Sequence, residues 1–262
     1  MPLIAMTREM GSLGKDVADI VAARLGKPVV YHEIIDQLAN KMRLRKSHVI
    51  RFLDGKANIW ERLTTDKTSM AIYTVDETLA LAQSDSIAVI RGWGAAHLLR
   101  PIRHVICVRI CAPVPVRVQR MMERLSTDDE EFVLNEIKLS EEAITAITRR
   151  HFGVSWQHSD RYDLVLNTER ISVEECADEL MALVKDPEFQ ETEHSRQMLD
   201  NLALESHVRA ALRAEPRTAK LQVSICADRG IVTLKSAVPR DRELALVSEV
   251  ASGVEGVTAV QT

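Results

Sequence analysis

The chain has 262 residues, 46 % of them apolar and 27 % charged, which excludes a wholly disordered chain or a collagen-like fibre. Its 34 basic and 38 acidic residues leave a net charge of −4, without the basic excess of a general nucleic-acid binder. Aromatic residues make up only 4 %, so the core must be built from Ala, Val, Leu and Ile.

The first apolar run, Leu3–Thr7, reads as a strand and not as a secretory leader, because Arg8 and Glu9 end it at once. A helical pattern follows at Lys15–Leu25. Further strand-like runs lie at Pro28–Tyr31, Ser86–Arg91, His104–Ile110 and Tyr162–Asn167, with a helix expected over Ser69–Gln83. Residues 34–68 and 116–151 read as helices and turns, and the acidic run Ser126–Glu131 as a solvated helix start. Five runs separated by helices predict βαβ units and a parallel sheet. The central runs are apolar on both faces, as strands covered on both sides must be.

After a helix at Val173–Val184 the chain turns charged and loses its periodicity, and residues 186–198 read as a linker. Beyond it the expected order is helix (Leu199–Ala214), strand (Leu221–Ala227), strand (Ile231–Val238), helix (Asp241–Ser252) and strand (Gly256–Gln261). Asp228-Arg229-Gly230 is a hairpin signal, with Gly230 able to adopt positive φ. The division is therefore a domain at 1–185, a linker at 186–198 and a small α+β domain at 199–262.

Cys107, Cys111, Cys176 and Cys226 are scattered without zinc-ligand spacing, and Cys107 and Cys111 read as packed thiols. No apolar stretch approaches the ~18–20 residues of a membrane span. A cytoplasmic location, with no integral membrane segment and no nucleic-acid partner, is the expectation.

The first strand runs into Thr7-Arg8-Glu9-Met10-Gly11-Ser12-Leu13-Gly14-Lys15-Asp16. A strand, a glycine-containing loop and a helix N-terminus form the arrangement that cradles phosphate, with backbone N–H groups turned inward and a lysine adding full charge. Gly11, Ser12, Gly14 and Lys15 are the candidate phosphate-binding residues. The strict pattern G-x-x-x-x-G-K-[ST] is broken by Glu9 and Asp16. A plain tight turn with a solvated Lys15 is the alternative.

Four segments in order carry a resemblance: TREMGSLGKDVADIVAARL, IAVIRGWGAAHLL, HVICVRICAPVPVRVQRMME and WQHSDRYDLVLNTERISVEE. They resemble the cytidylate-kinase-like family, a branch of the P-loop nucleoside monophosphate kinases, over roughly residues 3–184. The resemblance implies a five-stranded parallel P-loop nucleotide-kinase-like fold. It also implies transfer of the γ-phosphoryl of ATP, with Mg2+, to a (d)CMP-like acceptor. By the same resemblance Lys15, Arg117 and Arg120 are the catalytic cations. Arg117 and Arg120, spaced i, i+3, share one helix face. Asn167 and Thr168 fall where the family seats the donor nucleobase, and Arg149 and Arg150 are lid candidates. The family's acceptor-binding Gly-Arg-Gly is Gly92-Trp93-Gly94 here, which makes Arg91 and Trp93 the acceptor candidates. Asp16 replaces the magnesium-holding Ser or Thr and is itself a hard oxygen ligand for the metal.

Residues 199–262 resemble a BON domain through VRAALRAEP, GIVTLKSAV and VASGVEGVTAV. That likeness implies a protein partner, a ligand or self-association. The eight basic and eight acidic residues over 200–262 make no case for anionic lipid. Two functions stand: a nucleotide kinase, or a catalytically degenerate nucleotide sensor or assembly protein whose C-terminal domain binds a partner or ligand.

Overall fold

The strand Leu3–Arg8 (β1) is buried along almost its whole length and sits at the centre of a parallel sheet. The computed structural model describes residues 1–53, 57, 61, 64–92, 94–236 and 241–262, without the side chains of His32, Ile147, Arg150, His151, Phe152 and Ser236. Trp93, the Arg150 side chain and the expected strand end at 237–238 lie outside the described residues.

In chain order the elements are β1, α1 (Gly14–Leu25), β2 (Val29–Val30), α2 (His32–Met42), α3 (Lys46–Leu53), α4 (Lys67–Ala82), β3 (Val89–Arg91), α5 (Ala95–Leu98), β4 (Val105–Cys111), α6 (Val114–Leu125), α7 (Glu130–Phe152), β5 (Leu164–Asn167), α8 (Val173–Lys185), α9 (Glu193–Ala214), β6 (Val223–Asp228), β7 (Ile231–Ser236), α10 (Asp241–Ser252) and β8 (Ala259–Gln261). They form two compact units, Met1–Thr65 with Asp85–Glu191, and Asp66–Ser84 with Thr192–Thr262.

The first unit holds a five-stranded, all-parallel sheet in the order β2-β3-β1-β4-β5. Each of the five predicted runs contains a strand, although Pro28–Tyr31 shrinks to the two-residue edge strand β2. Ile4 and Met6 of β1 and Ile106, Val108 and Ile110 of β4 pack with Val17, Ala18 and Val21 of α1 and Ala177 and Leu180 of α8. Burying each such side chain contributes about 1.5–3 kcal/mol. α8 starts on a reciprocal cap between Ser172 and Glu175, which satisfies N–H groups that the helix cannot. Cys107 is fully buried on β4, with its thiol 3.1 Å from the Ala96 carbonyl oxygen, whereas Cys111 is only half-buried.

The second unit has the order αββαβ after α4, with sheet order β6-β7-β8. β6 and β7 are antiparallel and β7 and β8 parallel. Arg229 (φ +46°) and Gly230 (φ +84°) are both left-handed between the paired residues Asp228 and Ile231, giving the primed two-residue turn whose twist suits a hairpin. Leu204, Val208 and Leu212 of α9 cover Ile225, Ala227, Val232 and Leu234.

Two differences from the sequence reading concern helices. α9 begins at Glu193, inside the stretch expected as linker, on a reciprocal cap between Thr192 and Ser195. α4, which lies in sequence among the strands of the first unit, belongs to the second. Its buried residues include Met70, Tyr73, Asp76 and Leu79. His207 Nδ1 of α9 lies 2.5 Å from Asp76 Oδ1, and Gln83 Nε2 donates to Asp200 Oδ1 at 2.8 Å. Among the described residues no helix is long and apolar enough to cross a membrane.

Candidate functional site

The turn from β1 into α1 is shaped by two close approaches. Gly11 sits at φ +80°, and a Cβ there would lie 2.7 Å from the Arg117 carbonyl oxygen. A Cβ on Gly14 would lie 2.7 Å from Arg8 Cβ. Both positions therefore need glycine to let the loop pass beneath α6 and beside β1. Leu13 is also left-handed, at φ +59°, and caps α1 without a side-chain hydrogen bond. The first N–H groups of a helix have no partner within it and carry partial positive charge.

A cleft of about 250 Å³ opens at this helix end, lined by Gly11, Leu13, Gly14, Lys15 and Asp16. Arg8 from β1, Arg91 from β3 and Arg120 and Arg124 from α6 complete its wall. Glu9 also borders it, but the Glu9 carboxylate is held by Arg109, by the Ala112 N–H at 3.2 Å and by Arg117 Nε at 3.4 Å. The cleft thus gathers five cationic side chains against one acid, Asp16, that is not already matched in this way.

A narrower cavity of about 70 Å³ shares Arg8 and Arg91 with the cleft. Thr7, Tyr31, Leu53, Gly92 and Gly94 line it, and Ser140, Ala143, Ile144 and Thr148 of α7 form its far wall. Arg91 is 8 % exposed, and its Nε is buried without a hydrogen-bond partner. Its guanidinium carbon stands 4.5 Å from the centre of the Tyr31 ring. Burial, and next the neighbouring Arg8 charge, pull the Arg91 pKa down. Arginine stays protonated regardless, so the positive charge persists.

The expected site residues divide into three groups. Gly11, Gly14, Lys15, Asp16, Arg91 and Arg120 line the cleft. Lys15 is half-exposed, and its Nζ pairs with Asp19 Oδ2 at 2.6 Å. Arg120 also clasps Thr168, through its hydroxyl at 2.9 Å and its carbonyl at 2.7 Å.

Ser12 and Thr168 are buttresses. Ser12 is fully buried, its hydroxyl within 2.8 Å of the Glu9 carbonyl and 3.0 Å of that of Ile110, and its N–H donates to Glu9 O. The hydroxyl therefore braces the loop from below and does not face the cleft. Thr168 is buried and donates to the Ser12 carbonyl at 2.9 Å, which ties β5 to the loop.

Arg117, Asn167 and Arg149 lie apart from the cleft wall. Arg117 is 3 % exposed, donates to the Ala112 carbonyl at 2.9 Å and pairs with Glu141 at 2.7 Å as well as Glu9. Its guanidinium is neutralised inside the fold, so the expected sharing of one anion with Arg120 is corrected: only Arg120 turns to the cleft. Asn167 is exposed at the end of β5 and accepts the Glu169 N–H at 3.0 Å. Arg149 is exposed on α7 and lines neither cavity.

Arg8, Arg124 and Tyr31 were not among the expected site residues. Arg8 is part of the Thr-Arg-Glu-Met-Gly start, and Arg124 follows Arg120 at i+4, so both had a local signal. Among the described residues no three His, Cys, Asp or Glu side chains cluster as a metal site. Asp16 lines the cleft beside the ion-paired Glu9, and its carboxylate suits a hard cation that keeps its waters and takes its remaining ligands from phosphate.

The sequence matches the cytidylate kinase-like family over residues 3–170, more than half of its length. The chain belongs to that family. No curated protein matches it. Among solved structures it is similar to an uncharacterized protein from Eubacterium ventriosum, at 21 % identity over 71 % of this chain and 99 % of that one, with a TM-score of 0.55. Shikimate kinases from Bacteroides thetaiotaomicron and Acinetobacter baumannii each match at 14 % identity, with TM-scores of 0.45 and 0.42. They align over 71 % and 70 % of this chain and 99 % and 93 % of their own.

Proposed function

We propose that the first unit is a nucleotide kinase that transfers the γ-phosphoryl of ATP to a (d)CMP-like acceptor. The observation that carries this reading is Arg91, buried, short of a hydrogen-bond partner at Nε and lining both cavities. The cleft at the α1 N-terminus takes the donor phosphates, and the narrower cavity takes the anionic group of the acceptor. Arg8 and Arg91 then stand where the phosphoryl passes between them.

In this reading the loop N–H groups around Gly11 and Gly14 hold the donor phosphates. Lys15 turns from Asp19 to the β- and γ-oxygens, a cheap exchange because an exposed ion pair contributes only about 0–1 kcal/mol. An acceptor phosphate oxygen attacks the γ-phosphorus. The bond to the β–γ bridging oxygen breaks, and ADP leaves with the electron pair. Such a transition state demands mainly positioning and charge neutralisation, which Lys15, Arg8, Arg91 and Arg120 supply. Asp16 would hold Mg2+, which when bound would neutralise charge on the donor phosphates. Asn167, at the carboxyl end of the sheet, is the candidate for the donor base.

A second reading, a nucleotide sensor without turnover, is favoured by Arg117 being engaged internally and Lys15 resting on Asp19. The αββαβ elements of the second unit support a BON-like module that binds a protein partner or itself, with residues 1–185 and 199–262 as the two sequence domains. The four thiols are free, which accords with a cytoplasmic location.

The test is to incubate the chain with Mg-ATP and each nucleoside monophosphate and to follow ADP release, with Lys15→Ala as control. Turnover with a cytidine nucleotide that Lys15→Ala abolishes is the expected result. ATP binding by calorimetry without turnover for any acceptor would overturn the kinase in favour of the sensor.

A further inference from the structure

Among the described residues the strand β6 is paired with β7 along one edge only, and a groove of about 490 Å³ runs beside its other edge. Consecutive residues Val223, Ser224 and Ile225 all line this groove, which marks it as following the strand edge and not one face of the sheet. The tight turn makes Asp228 and Ile231 a hydrogen-bonded pair. Alternation then turns the N–H and C=O groups of Val223, Ile225 and Ala227 outward. The two ends of this edge are already met: Glu205 Oε1 accepts the Ala227 N–H at 3.0 Å, and Arg209 donates to the Val223 carbonyl at 3.5 Å. Ile225 lies between them.

The groove is cationic. Arg209, Lys220 and Lys235 border it, and no Asp or Glu is among its described lining residues. A further arginine, Arg213, is held by Asp66 and by Ser69 at 2.8 Å. Lys220 and Lys235 have no ion-pair partner among the described residues. Lys235 pairs across the hairpin with Ser224, so the two share the outer face, whereas Leu212 and Ile225 supply an apolar floor on the other side. Thr68 and Ile72 of α4 form a wall that the αββαβ elements alone would lack.

We infer that the open edge of β6 receives an extended, acidic segment of a partner protein, added as a further strand. Main-chain hydrogen bonds to Ile225 supply attachment, and alternating side chains supply selectivity. Acidic residues of the segment meet Lys220 and Lys235, and the intervening apolar residues meet the Leu212 floor. This assignment is independent of the phosphoryl-transfer reading, because every residue it uses lies in the second unit.

The probe is a short fluorescent peptide alternating Glu with Val, titrated against the full chain by anisotropy, with a Lys-for-Glu peptide as control. The acidic peptide is expected to bind at least about tenfold tighter than the basic one and to weaken with salt. It should lose about tenfold in the Lys220→Glu/Lys235→Glu variant and slow hydrogen exchange of the Ile225 amide. Equal binding of the two peptides, or binding without protection of Ile225, would overturn the inference. So would displacement of the peptide by equimolar inorganic phosphate, which would identify a small-anion pocket instead.

Discussion

Arg91 lies over the ring of Tyr31, its guanidinium carbon 4.5 Å from the ring centre, at the wall common to the two cavities of the first unit. The ring face offers a cation–π contact that helps to place the guanidinium. Replacing Arg91 by Met is expected to lower kcat/KM for phosphoryl transfer by about 100-fold or more, the cost of one lost transition-state donor. The same variant is expected to melt no lower than the native chain, because a buried, incompletely hydrogen-bonded cation contributes little to folding. Arg91→Lys keeps the charge without the planar fork and should fall between the two. Steady-state kinetics and thermal melts on the same preparations check the pairing. A large loss of melting temperature in Arg91→Met would make the residue structural.

Lys15 and Asp19 form an exposed i, i+4 pair at 2.6 Å, with both side chains 49 % exposed. Donor phosphate must draw Lys15 out of this pair. Asp19→Asn is therefore expected to tighten ATP binding by up to about fivefold, since an exposed pair contributes at most about 1 kcal/mol. Its effect on stability should stay within about 0.5 kcal/mol. Calorimetric titration checks the affinity, and an unchanged or weakened affinity would mean that Lys15 does not move to the phosphates.

How far the site could be read from the sequence depended on whether a residue's partners were local. The strands were legible because a doubly covered parallel strand must be apolar on both faces, as Ile4–Met6 and Val105–Val108 are. The loop was legible because glycine at Gly11 and Gly14 precedes a helix at a fixed distance. Arg117 was misread because helical spacing specifies a face and not what lies opposite it. Its partners, Glu9 and Glu141, come from β1's end and from α7. The membership of α4 was hidden for the same reason. An amphipathic helix shows that it is buried, not which surface buries it.

Glu9 occupies the position where a strict phosphate loop has glycine, yet its carboxylate faces inward to Arg109, Arg117 and the Ala112 N–H. Removing its charge takes the ion-pair partner from the part-buried Arg109 and leaves the buried Arg117 with Glu141 alone. Glu9→Gln is expected to cost about 3 kcal/mol of stability, the scale for breaking a buried pair. Urea unfolding should show it as a lowered midpoint at unchanged slope. A glycine there, which would restore one of the two broken positions of the strict pattern, should destabilise at least as much. A neutral Glu9→Gln would remove Glu9 from the framework of the loop.

The thiols differ in access. Cys226 is exposed, whereas Cys107 and Cys176 are buried, and burial pushes the Cys107 thiol up to about 12. A chromogenic disulfide reagent on the native chain at pH 8 is expected to label Cys226 quickly, Cys111 slowly and the buried pair only on unfolding. Cys226→Ser should remove the fast phase. A fast phase that survives it would mean that the β4 or α8 thiols become exposed in the native ensemble.

Asp66 caps α4, accepting the N–H groups of Thr68 and Ser69 at 3.0 and 3.1 Å, and pairs with Arg213 of α9 at 2.5 Å. Partial burial alone would raise its pKa, but the hydrogen bonds from Ser69 and the Arg213 charge outweigh burial and lower it from 3.8 to about 2. A folded-state pKa below the unfolded value means that the unfolded chain binds the proton more tightly. The stability contributed by Asp66 is therefore complete above the unfolded value of 3.8 and is lost as pH falls through about 2. Asp66→Asn keeps a capping oxygen but removes the titration. It is expected to lower stability at neutral pH and to flatten the decline between about pH 4 and 2. Urea midpoints measured across that range for both proteins check it. A variant as steep in acid as the native chain would show that Asp66 is not the group being protonated there.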